Sequence, residues 1–124
     1  GSQRAFSLKE LFARENRLRS ASDFRSTMRL GQKATTEHLV VYLNSEANSN
    51  PPRFGFVVSK AVGNAVQRNL VKRRARSVLG AEIQSFIAGQ TIVLRALPGL
   101  AELDFSTMTT EIHTALGKLG VAKA

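Results

Sequence analysis

Residues 60–79, Lys-Ala-Val-Gly-Asn-Ala-Val-Gln-Arg-Asn-Leu-Val-Lys-Arg-Arg-Ala-Arg-Ser-Val-Leu, constrain this chain more than any other stretch. A glycine turn feeds a helix. Asn64 reads as its N-cap, and Gln67, three residues on, completes a capping box. At about 100° per residue, Arg68, Asn69, Lys72, Arg73 and Arg76 fall on one arc, while Val66, Leu70, Val71, Ala75 and Val78 fall largely on the other. Such a helix needs a core under one face and presents cations on the opposite one. From Ala47 to Ala81 there is no Asp or Glu. The cations therefore have no local acidic partner, and a polyanion is the natural one. A solvated face that binds nothing would mix both signs. A membrane-surface helix would carry large aromatics on its apolar arc, and this one carries none.

The excess of charge extends beyond the helix. Lys and Arg number 18 against 9 Asp and Glu in 124 residues, a formal net charge of +9. That balance favours nucleic acid as a partner, and the length fits one domain. The absence of cysteine excludes disulfides and thiolate metal sites and suits a reducing compartment. No apolar run approaches the length of a membrane span, and no secretory pattern is present. A cytoplasmic protein with no membrane partner is the expectation. The Gly-Ser start reads as a cloning remnant. Residues 1–13 are expected to form a flexible arm, and residues 14–124 a single RNA-binding domain.

Taken in order, Arg14, Arg17 and Arg19 lead into a first helix capped by Ser20 or Ser22 and closed by Gly31. Phe24 and Met28 share one face of it. Residues 34–36 suggest a short strand, residues 39–43 a second and residues 53–59 a third. In the third, Phe54, Phe56 and Val58 point one way, and Gly55 permits a close approach on the other. The basic helix follows. Gly80 is expected to weaken or kink it, with helical character continuing to Gly89. Residues 91–97 read as a central strand and Pro98-Gly99 as a turn. Asp104 or Ser106 caps a last helix whose Phe105, Met108, Ile112, Ala115, Leu116 and Leu119 form a buried stripe. The class is α+β: helices on a four-stranded, mainly antiparallel sheet, order αβββαβα.

The residues offer little for catalysis. His38 and His113 lack a Cys, a second His or a carboxylate at ligand spacing, so surface or edge histidines are the preferred reading. The acids are scattered, and Glu102 and Asp104 are explained by a helix start. Ser59 beside Lys60 has no third orienting group. Gly63-Asn64 before a helix resembles an anion site, but the full phosphate-loop pattern is missing and plain capping explains it equally well. Phe24, Met28 and Tyr42 are core residues on shape alone. In an open groove they would stack on unpaired bases.

Lys60 to Arg76, with Gly63-Asn64-Ala65-Val66, Arg68-Asn69, Lys72-Arg73 and Arg76, closely resembles the signature of the bacterial ribonuclease P protein subunit. Residues 15–19 with Asp23-Phe24, residues 54–60, 92–98 and 103–119 extend the resemblance to most of the chain. It implies the protein partner of a ribozyme that removes the 5′ leader from precursor tRNA, one protein per catalytic RNA, the RNA performing the hydrolysis with its bound Mg²⁺. It implies that Lys60, Asn64, Arg68, Asn69, Lys72, Arg73 and Arg76 meet the catalytic RNA. Phe24, Met28, Val40 and Tyr42 would line a leader cleft, with Arg17 and Arg19 as additional basic contacts. It also implies a left-handed strand–helix–strand crossover, against the usual hand. Two departures from the family pattern stand out. In the first, Leu70 stands where an Arg is common and Arg74 where an apolar residue is, one helical turn away. In the second, Met28 stands where an aromatic is frequent, which weakens stacking there. The competing readings are a ribosomal-protein-like structural RNA binder and a protein-only nuclease, the latter disfavoured because no carboxylate cluster for two metals is evident.

Overall fold

The computed structural model describes residues 14–121. The expected arm, residues 1–13, lies outside the described residues. Helix α1 spans Ala21–Leu30, strand β1 Gln32–Thr35, β2 Leu39–Ser45, β3 Arg53–Val57, helix α2 Ala65–Ala81, β4 Gln90–Ala96 and helix α3 Phe105–Lys118. This is the expected αβββαβα order. Of the two candidates for each cap, Ser20 accepts from the Asp23 N–H and Asp104 from the Thr107 N–H. The Gly31 N–H closes α1 on the Thr27 carbonyl at 2.9 Å.

The strands lie in the order β1-β2-β4-β3. β1–β2 and β2–β4 are antiparallel, and β3–β4 is parallel because α2 carries the chain back across the sheet between them. Strand alternation sends two sets of side chains to opposite faces. Leu39, Val41, Leu43, Phe54, Ile92, Leu94 and Ala96 form the main core with Val71, Ala75, Val78 and Leu79 of α2 and Met108, Ile112, Ala115 and Leu116 of α3. Val40, Tyr42 and Val93 form a smaller cluster on the other face with Leu18, against which Phe24 and Met28 of α1 pack. Three layers result: α1, the sheet, then α2 with α3.

Two expectations are corrected. Phe105 is 43% exposed, outside the buried stripe; as the first residue of α3 it precedes the turn that reaches the sheet. α2 runs through a buried Gly80 and ends one residue later, at Ala81, short of the helical character expected to Gly89. Beyond Ala81 only a 3₁₀ turn, Ile83–Ser85, keeps helical form, and Phe86 is already extended, its ring edge-on to Phe54 at 5.0 Å.

The two histidines are each tied to a glutamate. His113 Nε2 lies 3.4 Å from Glu82 at the end of α2. Glu111 of α3 grips the β1–β2 turn: it accepts from Thr36 Oγ1 at 2.7 Å, from the His38 N–H at 2.6 Å, and meets His38 Nδ1 at 3.0 Å. The Gly99 turn backs the imidazole: its φ of +101° and a would-be Cβ 2.7 Å from His38 Cδ2 both require glycine. The hydrogen bond to the Glu111 carboxylate raises the His38 pKa against the opposing effect of burial. Burial of Glu111 pushes its own pKa up, but the hydrogen bonds from Thr36 and His38 outweigh it and leave the carboxyl below its ordinary value.

The signs set a pH window. The His38 contribution is full below its unfolded value of 6.5 and is lost as pH rises through the higher folded value. The Glu111 contribution is full above 4.5 and is lost as pH falls through the lower folded value. In thermal melts, the Tm advantage of wild type over Glu111→Gln is expected to be largest between these two values and to shrink on both sides. A constant difference from pH 4 to 8 would contradict the clasp.

Candidate nucleic-acid interface

The N-terminus of α2 forms as its sequence dictates. Asn64 Oδ1 accepts from the Gln67 N–H and Gln67 Oε1 from the Asn64 N–H, both at 2.9 Å. Arg68 Nη1 folds back onto the Gly63 carbonyl at 3.1 Å. Lys60, Asn64, Asn69 and Arg73 are exposed, and Arg68, Lys72 and Arg76 are half-buried. Among the described residues, no carboxylate forms an ion pair with any of these cations. Val66, expected on the buried arc, is 77% exposed and stands on the ridge instead. Val66 is five residues before Val71, about 140° around the helix from the core line. Leu79, not expected in the stripe, is fully buried. Arg74 is half-buried and donates to the Leu103 carbonyl at 3.1 Å. The cation that resemblance shifts by one turn is thus tethered to the segment ahead of α3. Asp104 beside it is held below the ordinary carboxylate range, chiefly by the Thr107 N–H and in part by Arg74.

Strand β3 is an edge strand, and the segment before α1 lies along it: Arg17 bridges to Phe54, and the Leu18 N–H donates to the Phe54 carbonyl at 2.9 Å. At this edge a recess of about 180 Å³ opens, walled by Arg17, Leu18, Phe24, Gly55, Phe56, Lys72 and Arg76 over Phe54. The Arg76 guanidinium sits 5.6 Å from the Phe56 ring centroid, a cation–π distance. Its Nε is buried without a hydrogen-bond partner. Burial first, and the charge of Arg17 second, push the Arg76 pKa down. An arginine stays protonated under such pressure, so the strain is relieved by an anionic acceptor. Phe24, expected in one surface, and Lys72 and Arg76, expected in another, therefore share a single concave site.

A family model described as ribonuclease P matches residues 12–120. The chain belongs to the ribonuclease P protein family. A ribonuclease P protein component from Clavibacter michiganensis subsp. michiganensis is 41% identical over 106 residues, covering 86% of this chain and 94% of the relative. The solved ribonuclease P protein of Thermotoga maritima is 27% identical with a TM-score of 0.72, over 82% of this chain and 96% of that one. That of Staphylococcus aureus, 24% identical with a TM-score of 0.79 over 86% and 96%, shares the fold.

In this ribonuclease P family protein, Phe24, Met28, Val40 and Tyr42 do come together, between α1 and the sheet. Val40 and Tyr42 are each only 7% exposed, while Phe24 and Met28 are half-buried over them. Arg17 and Arg19 are both exposed on the approach to α1. Sequence reasoning missed two cations on this same face, Lys33 opposite Tyr42 and Arg95 opposite Val40. Strand alternation was the signal available for both. Among the described residues, no helix is long and apolar enough to cross a membrane.

Proposed function

We propose that the chain is the protein subunit of ribonuclease P, binding the catalytic RNA through the α2 ridge and the single-stranded 5′ leader of precursor tRNA between α1 and the sheet. One observation carries the reading: in a chain of this family, Lys72 and Arg76 of α2 form no ion pair with a carboxylate among the described residues and wall one recess with Phe24 of α1. Lys60, Asn64, Arg68, Asn69, Lys72, Arg73 and Arg76 contact the RNA, and Asn64 does so with its amide nitrogen, because its oxygen caps the helix. Phe24 and Met28 are the accessible members of the leader cleft; Val40 and Tyr42 form its floor. Arg17 and Arg19 hold phosphates between the two surfaces.

The chemistry belongs to the RNA and its Mg²⁺. Among the described residues, no three His, Asp or Glu side chains converge as a metal site would require. The chain's contribution is cationic: it lowers repulsion among catalytic RNA, substrate and metal, so that less Mg²⁺ is needed. This work is cytoplasmic, with one protein per catalytic RNA.

Reconstitution with a bacterial ribonuclease P RNA at low Mg²⁺ tests the reading. Cleavage of precursor tRNA should rise on adding the chain, and the assembled complex should prefer precursor to mature tRNA. If about five phosphates are neutralised, log K against log[salt] falls with a slope of about −3.5 to −4.5. Equal affinity for precursor and mature tRNA would favour a structural RNA binder. Cleavage by the chain alone would favour a protein nuclease. A nearly flat salt response would remove the RNA-binding reading altogether.

A further inference from the structure

β4 is a central strand, paired on both sides, and Arg95 is its one exposed residue. That is an anomalous place for a cation. A position flanked in register by Val40 of β2 and Val57 of β3 is one that a covered sheet would fill with an apolar side chain. Arg95 shares its alternation with Val93, so it lies on the α1 side of the sheet. α1 covers only part of that side. A Cβ on Gly55 would meet the Phe24 ring, Asp23 pairs with Arg53, and Gly31 abuts the Leu43 carbonyl. These contacts place α1 over the far half of the strands, from Gly55 to Arg53 and near Leu43. The Val40–Arg95–Val57 row lies at the other end, where Val57 and Leu97 are half-buried. Among the described residues, the Arg95 side chain has neither an ion pair nor a hydrogen bond.

We propose that Arg95 contacts a backbone phosphate of the precursor's leader where the strand leaves α1. The site is one row, about 7 Å, beyond Tyr42 and Val93. This rests on the reading of the chain as the leader-binding subunit. The floor of that end of the groove is apolar, which suits a base or sugar, and the Arg95 guanidinium supplies the fork for phosphate oxygens. The row lies at the end of the sheet where β3 runs out into the Ser59–Gly63 turn that opens α2. The cation therefore lies at the end of the sheet from which the chain passes into α2, on the α1 side.

The test uses the reconstituted complex with precursors bearing leaders of one nucleotide and of about eight. Arg95→Gln is expected to weaken binding of the long-leader precursor about three- to tenfold. It should leave short-leader binding and the saturated cleavage rate unchanged, and reduce the salt slope for the long leader by about 0.7. Arg95→Lys should restore most of the affinity, and all three proteins should melt alike, because the position is exposed. If wild type distinguishes the two leaders and Arg95→Gln does so equally well, the Arg95 contact is wrong and the leader groove stands. If wild type itself is indifferent to leader length, the groove falls, and the contact with it.

Discussion

Replacing Lys72, Arg73 and Arg76 together by glutamine is expected to weaken binding of the catalytic RNA by about three orders of magnitude. A hydrogen bond to a charged group contributes about 1.5 kcal/mol at the lower end of its range, and three such contacts sum to about 4.5 kcal/mol. At about 1.4 kcal/mol per decade that is roughly a thousandfold. The salt slope should shrink by about 2.7, from three fewer released counterions. The fold should survive, because none of the three side chains is in the core or in an ion pair among the described residues, and the packing line Val71, Ala75, Val78 and Leu79 is untouched. Arg76→Gln even removes a buried, unpartnered Nε. Filter binding across a salt series, with a melt of the free protein beside it, measures both terms. A loss of less than tenfold with an unchanged slope would mean that the RNA lies elsewhere.

The parts of this molecule that local chemistry determines were legible in the chain. The Asn64–Gln67 capping box, the two-faced alternation of β2 and β3, and the close approach at Gly55 each follow from a few neighbouring residues. What escaped depends on segments far apart in sequence. Phe105 is apolar, and a wheel drawn around α3 gives it a place on the buried arc; Val66 is apolar too, but it lies about 140° from the core line of α2. Both stand in the first turn of their helices, and both are exposed. The recess at the β3 edge needs Arg17 beside Phe54 and α2 above it, an adjacency no periodicity reveals. Arg74 shows the limit of resemblance. Its exchange with Leu70 looks like a cation moved one turn along the same surface, yet its guanidinium is engaged by the Leu103 carbonyl. The α2 ridge proposed to meet the RNA is therefore one cation poorer than the motif implies, and Arg74 instead ties α2 to the segment ahead of α3.

Gly55→Val is expected to cost about 2–3 kcal/mol of stability, through Phe24. A Cβ at this position would lie 2.4 Å from Phe24 Cε1 and Cζ and 3.1 Å from Leu18 Cδ2, well inside van der Waals contact. Overpacking of that kind costs about 1–3 kcal/mol. The β-branched side chain otherwise suits a strand, so intrinsic preference works against the loss and isolates the clash as its cause. Because Phe24 is half-buried and can swing outward, the ring gives way before the sheet does. In a Phe24→Ala background, the same Gly55→Val change should cost little or nothing, a coupling of about 2 kcal/mol between the two sites. Denaturant melts of the four proteins measure it; additive costs would show that Gly55 is small for some other reason. The displaced ring also separates two functions that share the recess. Affinity for the catalytic RNA, which the proposed function assigns to α2, should change little in Gly55→Val. The preference for precursor over mature tRNA should fall, because the side chain that moves is the one that walls both the cationic recess and the leader groove.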